Sequence, residues 1–304
     1  MSRKFVPFVQ RWKHRLLVPL LCCLGFAITS CDSNSGENDA IAGAPAYAKQ
    51  SLNEGWNVAA TGDEQAVAAT VPGYAQNDLP NPEFEKQTLY GTGDSAAVQA
   101  YELLGFTYQK TFDYTAEMQA MEGVNLVFEG LDTYADVYLN DSLILQTDNM
   151  FRRWEVDVKS ALNPTNNLKV VFTSPMEKHA ATWANKPYEL PAGNDASEIR
   201  ISPYTRKAAY HFGWDWAPRK VYSGIWKPCY LEGWKTAHIS LFNTVTEACS
   251  DTLSVVLVNA IVYSEVEGEA AMQVFDESGA ELSNYDLIDL KKGANEVSFR
   301  LILK

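Results

Sequence analysis

The sequence has 304 residues, with 38 Asp and Glu against 25 Lys and Arg, a formal charge of −13 at pH 7. That acidic balance excludes a nucleic acid held through its phosphates as partner. With 46% hydrophobic and 12% aromatic residues the chain is not disordered, and five cysteines do not make a disulfide framework.

Residues 1–30 carry Arg3, Lys4, Arg11, Lys13 and Arg15 and no acid, and they include the apolar run Leu16–Ile28. At 13 residues the run falls short of the roughly 20 that a membrane-spanning helix needs. Basic start, short apolar run and small residues together read as an export signal. The run ends in Ile28-Thr29-Ser30-Cys31, which resembles the lipobox of bacterial lipoproteins. The resemblance implies cleavage before Cys31, lipid on its thiol, and an exported protein anchored at the periplasmic or outer membrane. Cleavage leaves 20 Lys and Arg against 38 Asp and Glu, a charge of −18. A polar tether follows over 31–46. Cys22 and Cys23 leave with the signal, so Cys229 and Cys249 remain; in an oxidising compartment they could pair, but they are expected to be small buried hydrophobes.

Beyond the tether, short β-rich segments alternate with turn clusters, an all-β pattern. Strands are predicted at Asn125–Glu129, Ala135–Leu139, Ser142–Leu145, Trp154–Val158, Leu168–Thr173, Cys229–Trp234, Thr252–Val258, Ala270–Phe275 and Glu296–Leu303. Between Val137 and Leu145, Asn140-Asp141 separates two apolar runs and predicts a hairpin, because both residue types tolerate positive φ. The loops at 74–100 and 174–207 are long, and loops of that size are usually functional. A boundary between Trp234 and His238 divides a jelly-roll β-sandwich, 47–235, from an incomplete immunoglobulin-like β-sandwich, 236–304.

Reaction machinery is mostly missing. The sequence has no GxSxG, HExxH, CxxC or GxxxxGK[ST] motif. Gly91–Ala96 matches GxGxxA without the strand and helix that such a motif requires. Asn140-Asp141-Ser142 is a glycosylation sequon made incidental by the bacterial context. The histidines His14, His179, His211 and His238 have no metal-ligand spacing, so no metal and no cofactor is expected.

The segment YHFGWDWAPR, Tyr210–Arg219, stands out. On an extended chain Phe212, Trp214 and Trp216 would share one face, and His211, Gly213 and Asp215 the other. A buried aromatic stripe explains that pattern. Against it, Pro218 ends the strand, and Asp215, Arg219, Arg206 and Lys207 bring charge that is rarely buried unless paired. A sugar would also suit it, since a carboxylate accepts from two neighbouring hydroxyls while an indole covers the C–H face of a ring.

At these residues the chain resembles the β-mannosidases of glycoside hydrolase family 2. The similar segments are ATVPGYAQNDL (69–79), LYGT (89–92), LVFEGLDTYADVYLND (126–141), DNMFRRW (148–154), LPAGNDASE (190–198), SPYTRKAAYHFGWDWAPR (202–219) and SGIWKPCYLEGW (223–234). The resemblance implies an exo-acting enzyme for terminal non-reducing β-D-mannose, built from a jelly roll, an immunoglobulin-like domain and a (β/α)₈ barrel. It implies a retaining mechanism without metal, in which both catalytic glutamates would lie beyond residue 304. Trp214, Asp215 and Trp216 would then bind the terminal sugar of a β-mannoside glycan. The chain departs from the family where relatives have a pattern like VQWVENEDWEY and it reads VQAYELLGFTY (98–108), and in Ala217, where glycine is usual. A stand-alone carbohydrate-binding lipoprotein, a related exo-β-glycosidase and a purely structural seam remain as alternatives. Mass spectrometry of the chain made in a bacterial host is expected to find it beginning at an acylated Cys31; an unmodified residue 31 or cleavage elsewhere overturns the lipoprotein reading.

Overall fold

The computed structural model describes residues 46–80, 95–195, 197–272, 274, 275, 282 and 286–303. The signal, Cys31 and residues 32–45 of the tether lie outside the described residues, as do LYGT and Gly91–Asp94. The chain divides into one unit over Tyr47–Gly233 and another that takes in the residues from Trp234 onward.

The first unit uses β1 (Tyr47–Ser51), β2 (Trp56–Ala60), β3 (Val67–Ala69), β4 (Phe106–Asp113), β5 (Gly123–Phe128), β6 (Tyr134–Leu139), β7 (Ser142–Asp148), β8 (Trp154–Asp157), β9 (Thr165–Thr173) and β10 (Cys229–Trp234). They form a four-stranded sheet, β1-β10-β5-β8, and a six-stranded sheet, β3-β2-β4-β9-β6-β7. One hydrophobic core joins Val58, Phe106, Tyr108, Val137, Val170 and Phe172 of the larger sheet to Val124, Leu126, Phe128 and Leu231 of the smaller.

Alternation sets these faces. In β9, Asn166, Leu168, Val170 and Phe172 are buried, Thr165 is exposed and the residues between them are partly buried. In β4, Phe106, Tyr108, Lys110 and Phe112 are buried. Lys110 keeps its inward place because its Nζ donates to the carbonyls of Leu52 (3.0 Å) and Glu54 (2.6 Å). The β6–β7 hairpin turns at Asn140 and Asp141, both left-handed at φ 49° and 66°, as the two-residue turn requires. The outer face of the smaller sheet carries Arg153 paired with Glu129, Glu155 and Glu232.

The second unit contains β11 (Ala237–Cys249), β12 (Ser254–Ser264), β13 (Gly268–Met272), β14 (Asp286–Leu290) and β15 (Gly293–Leu303). Its sheets are β11-β12-β15 and β13-β14, five strands among the described residues against the seven of a complete immunoglobulin-type sandwich. Ala260, Val262, Ala270, Leu290 and Val297 form its core.

Three differences from the sequence reading are physical. The 174–207 loop contains a helix, Pro175–Ala184, capped by the Ser174 hydroxyl, which accepts from the Met176 and Glu177 N–H groups. Strands β1–β4, β11 and β14 lie outside the predicted set: β1–β3 are short and polar or alanine-rich, and β4 has a lysine at an inward position. Cys249 is exposed at the end of β11, whereas Cys229 is buried and the two are unpaired; burial pushes the Cys229 thiol up to about 12.

Phe172 is 1% exposed and meets Tyr108 edge to face at 5.6 Å. Phe172→Ala is expected to destabilise the sandwich by about 3–5 kcal/mol, read from the urea midpoint; a loss under about 1 kcal/mol would contradict this packing.

Candidate functional site

Three connections meet at one end of the sandwich: 129–133 after β5, 149–153 after β7, and the long 174–228 segment between β9 and β10. Asp132 and Gly224 exchange backbone hydrogen bonds at 3.0 and 3.2 Å. The Met150 N–H donates to the Arg206 carbonyl at 3.1 Å, and Trp226 Nε1 donates to the Met150 carbonyl at 3.0 Å. Gln76 holds the return of the long segment like a strand partner, donating to the Val221 carbonyl and accepting from the Ser223 N–H. No side chain fits at Gly224, where a Cβ would stand 2.5 Å from the Gly73 carbonyl oxygen.

Two buried ionic clusters fix this segment. Lys207 Nζ donates to Asp132 Oδ1 and to the Tyr222 carbonyl, both at 2.5 Å, with both charged side chains wholly buried. Burial raises the Asp132 carboxyl above its ordinary range against the opposing pull of Lys207, and burial lowers Lys207. His211 Nδ1 lies 3.5 Å from Asp132 Oδ2. Burial and then the Lys207 charge push that imidazole down to about 2, so the ring is neutral. In the second cluster Arg219 Nε donates to both Glu102 oxygens at 3.0 Å, and Nη1 pairs with Asp195. Burial raises the Glu102 carboxyl against the pull of Arg219.

Above these clusters the chain makes a tight turn. Ala209–Phe212 is one short 3₁₀ turn, and Gly213 at φ 110° redirects the backbone as other residues rarely can. Trp214 and Ala217 then exchange backbone hydrogen bonds at 3.1 and 3.2 Å, which places Asp215 and Trp216 at the tip. Below it the Lys220 N–H donates to the His211 carbonyl at 2.9 Å. Phe212 is buried with Met176, Ile201 and Val221. Trp214 is 44% and Trp216 81% exposed, their rings edge to face at 5.9 Å and 70°, and Asp215 is exposed.

This corrects the extended-strand reading. Trp214, Asp215 and Trp216 are together at an exposed tip, but Phe212 belongs to the interior, and a turn rather than period-two alternation separates them. Lys207 and Arg219, which the sequence placed as charge beside the rings, are buried ion-pair partners beneath. Asp132, Glu102, Asp195 and Asn194 were missed; Asn194 donates to the carbonyls of Ala209 (3.1 Å) and Gly213 (3.2 Å). A charged residue inside an aromatic run was the available signal, but nothing local names its partner.

The tip sets one exposed carboxyl group, that of Asp215, between two indoles. Asp215 is the only acid between residues 209 and 218, whereas glycoside cleavage generally takes two carboxyl groups. Among the described residues no group of three His, Cys, Asp or Glu side chains could hold a metal.

The family model described as glycosyl hydrolase 2 galactose-binding domain-like matches residues 56–227. The chain belongs to this family. Within the glycosyl hydrolase 2 proteins it is 34% identical over 199 residues to the β-mannosidase of Bos taurus, covering 63% of this chain and 22% of that protein. It is 32% identical over 193 residues to β-mannosidase B of Emericella nidulans, covering 62% and 22%. The solved β-D-mannosidase of Dictyoglomus thermophilum superposes with a TM-score of 0.71 at 28% identity, over 84% of this chain and 31% of that one. A putative β-galactosidase from Bacteroides fragilis shares the fold, with a TM-score of 0.56 at 15% identity over 85% and 36%. The chain thus spans about a fifth of the length of the first two relatives.

Lys207→Met leaves the Asp132 carboxyl buried without its cation, and is expected to cost about 3–5 kcal/mol. The double variant Lys207→Met with Asp132→Leu is expected to lose clearly less than the two single changes summed. Urea titrations of the three variants check this, and additive losses would dissolve the pair.

Proposed function

We propose that this chain is the N-terminal, sugar-recognising part of an exo-acting β-mannosidase, and that Trp214, Asp215 and Trp216 form one wall of the subsite for the terminal β-mannose. The observation that carries the reading is the exposed carboxylate set between two indoles on a turn with a buried, fixed base. An ionised carboxylate has two oxygens able to accept from neighbouring hydroxyls, while the indoles cover the ring's apolar face. The resemblance of the surrounding residues to proteins named β-mannosidase supports mannose over other hexoses. In this reading bond cleavage is retaining and uses two glutamates outside residues 1–304, so this chain contributes binding and orientation. Cys31 would carry the lipid that tethers the protein at the periplasmic or outer membrane, with the acidic chain facing a neutral glycan.

Saturation-transfer NMR of the 304-residue chain with millimolar mannose is expected to show weak binding that Asp215→Ala abolishes. Transfer unchanged by Asp215→Ala sinks the role of that carboxylate. The pure chain is also expected to release no nitrophenol from an aryl β-mannoside, and turnover would overturn the placing of cleavage outside it.

A further inference from the structure

Two adjacent side chains, Asn194 and Asp195, grip the two legs of the tip. Asn194 Nδ2 reaches the inbound leg, donating to the carbonyl of Ala209, the first residue of the 3₁₀ turn, and to that of Gly213, the residue just after it. The Gly213 carbonyl belongs to the residue directly before Trp214. Asp195 reaches the outbound leg, taking Arg219, two residues past Ala217, in a buried pair. Asp195 is itself fixed, since its N–H donates to the Ala192 carbonyl at 3.1 Å and its Oδ2 accepts from the Ser202 N–H at 3.0 Å.

The chemistry of the two grips differs. Arg219 is locked from several sides, by Glu102, Asp195, the Met176 sulfur at 3.3 Å and the Phe212 ring at 5.3 Å. Losing one of those partners leaves a buried charge short of its neighbours and weakens the fold. Asn194 is only partly buried, and its amide serves two backbone acceptors. Two carbonyls demand two donors from one group, which a primary amide supplies and a carboxylate of the same shape does not. Without it the peptide unit that joins Gly213 to Trp214 keeps only the bond from its Trp214 N–H to the Ala217 carbonyl, which lies inside the tip and ties it to nothing beneath.

We propose that Asn194 is the positioning residue of the tip: its amide sets the direction in which Trp214, Asp215 and Trp216 project, while the adjacent Asp195–Arg219 pair holds the fold. The functional consequence, though not the positioning itself, rests on the reading of the tip as a sugar surface.

The two indoles provide a direct readout, because rings 5.9 Å apart at 70° couple as an exciton pair in far-ultraviolet circular dichroism. The full chain minus its Trp216→Phe variant gives that couplet. Asn194→Ala and Asn194→Asp are each expected to lose at least half of the couplet amplitude while the thermal midpoint stays near that of the parent. Asp195→Asn, by contrast, is expected to lower the midpoint. A couplet preserved in both Asn194 variants overturns the proposal, and so does a collapse of the midpoint in both, which would make Asn194 a fold-bearing residue. Mannose saturation transfer on the same samples separates the two readings. Its fall together with the couplet joins positioning to recognition. Its absence from a parent chain that shows the couplet removes the sugar reading and leaves the positioning intact.

Discussion

The end of the sandwich that carries the tip is organised by charge taken out of water. Lys207 and Asp132 meet with both side chains fully buried, at a place where three connections between strands converge. Desolvating two such groups costs several kcal/mol each, and only close geometry with further hydrogen bonds offsets it. Asp132 therefore also accepts from the Thr133 hydroxyl, and Lys207 from its other side reaches the Tyr222 carbonyl. Lys207 precedes the tip and Tyr222 follows it, so one ammonium ties both ends of the 208–221 excursion to the β5–β6 connection. Every other contact of the loop, including the Arg219 cluster, is made by a segment whose ends are already fixed.

The legible part of the fold is the part where local pattern and tertiary demand agree. β6 and β9 carry buried residues at alternate positions along most of their length, β7 and β10 carry short apolar runs bounded by turn residues, and Asn140-Asp141 fits its left-handed turn, so the sequence marks them. β4 hides because an inward position is a lysine, acceptable only since two carbonyls from the β1–β2 connection meet its ammonium. The tip was legible as chemistry and not as shape: a carboxylate between two tryptophans is visible in the string, whereas the turn depends on Gly213 and on partners far along the chain. Asp132 and Lys207 are 75 residues apart and Glu102 and Arg219 117 apart. No local window contains either pair, so the same charges suggested a decorated surface.

The pairing also sorts the departures from the β-mannosidase pattern. In VQAYELLGFTY the two lost tryptophans fall at Ala100, which is exposed, and Phe106, which is 1% exposed and keeps an aromatic ring in the core. Glu102, between them, stands where that pattern also has glutamate, and it holds Arg219. Ala217, in place of the usual glycine, closes the Trp214 turn through its backbone N–H and carbonyl, which alanine supplies as glycine would. None of these changes removes a partner of the buried clusters.

A rigid base under an exposed tip has a thermodynamic meaning of its own. Trp216 leaves 81% of its surface in water, unfavourable for an indole unless something covers it in use. A floppy loop could collapse to hide that ring, and binding would then have to re-extend and order it, at about 0.5–1.5 kcal/mol for each immobilised side chain. Buried charge pairs below and the Asn194 amide beside the turn keep the two indoles apart from the core and at a set angle to each other. The ordering cost is thus met during folding, when the large hydrophobic term of the sandwich is available. On the proposed sugar reading, a ligand covering the rings would meet a surface already in place, and its few contacts would go into recognition.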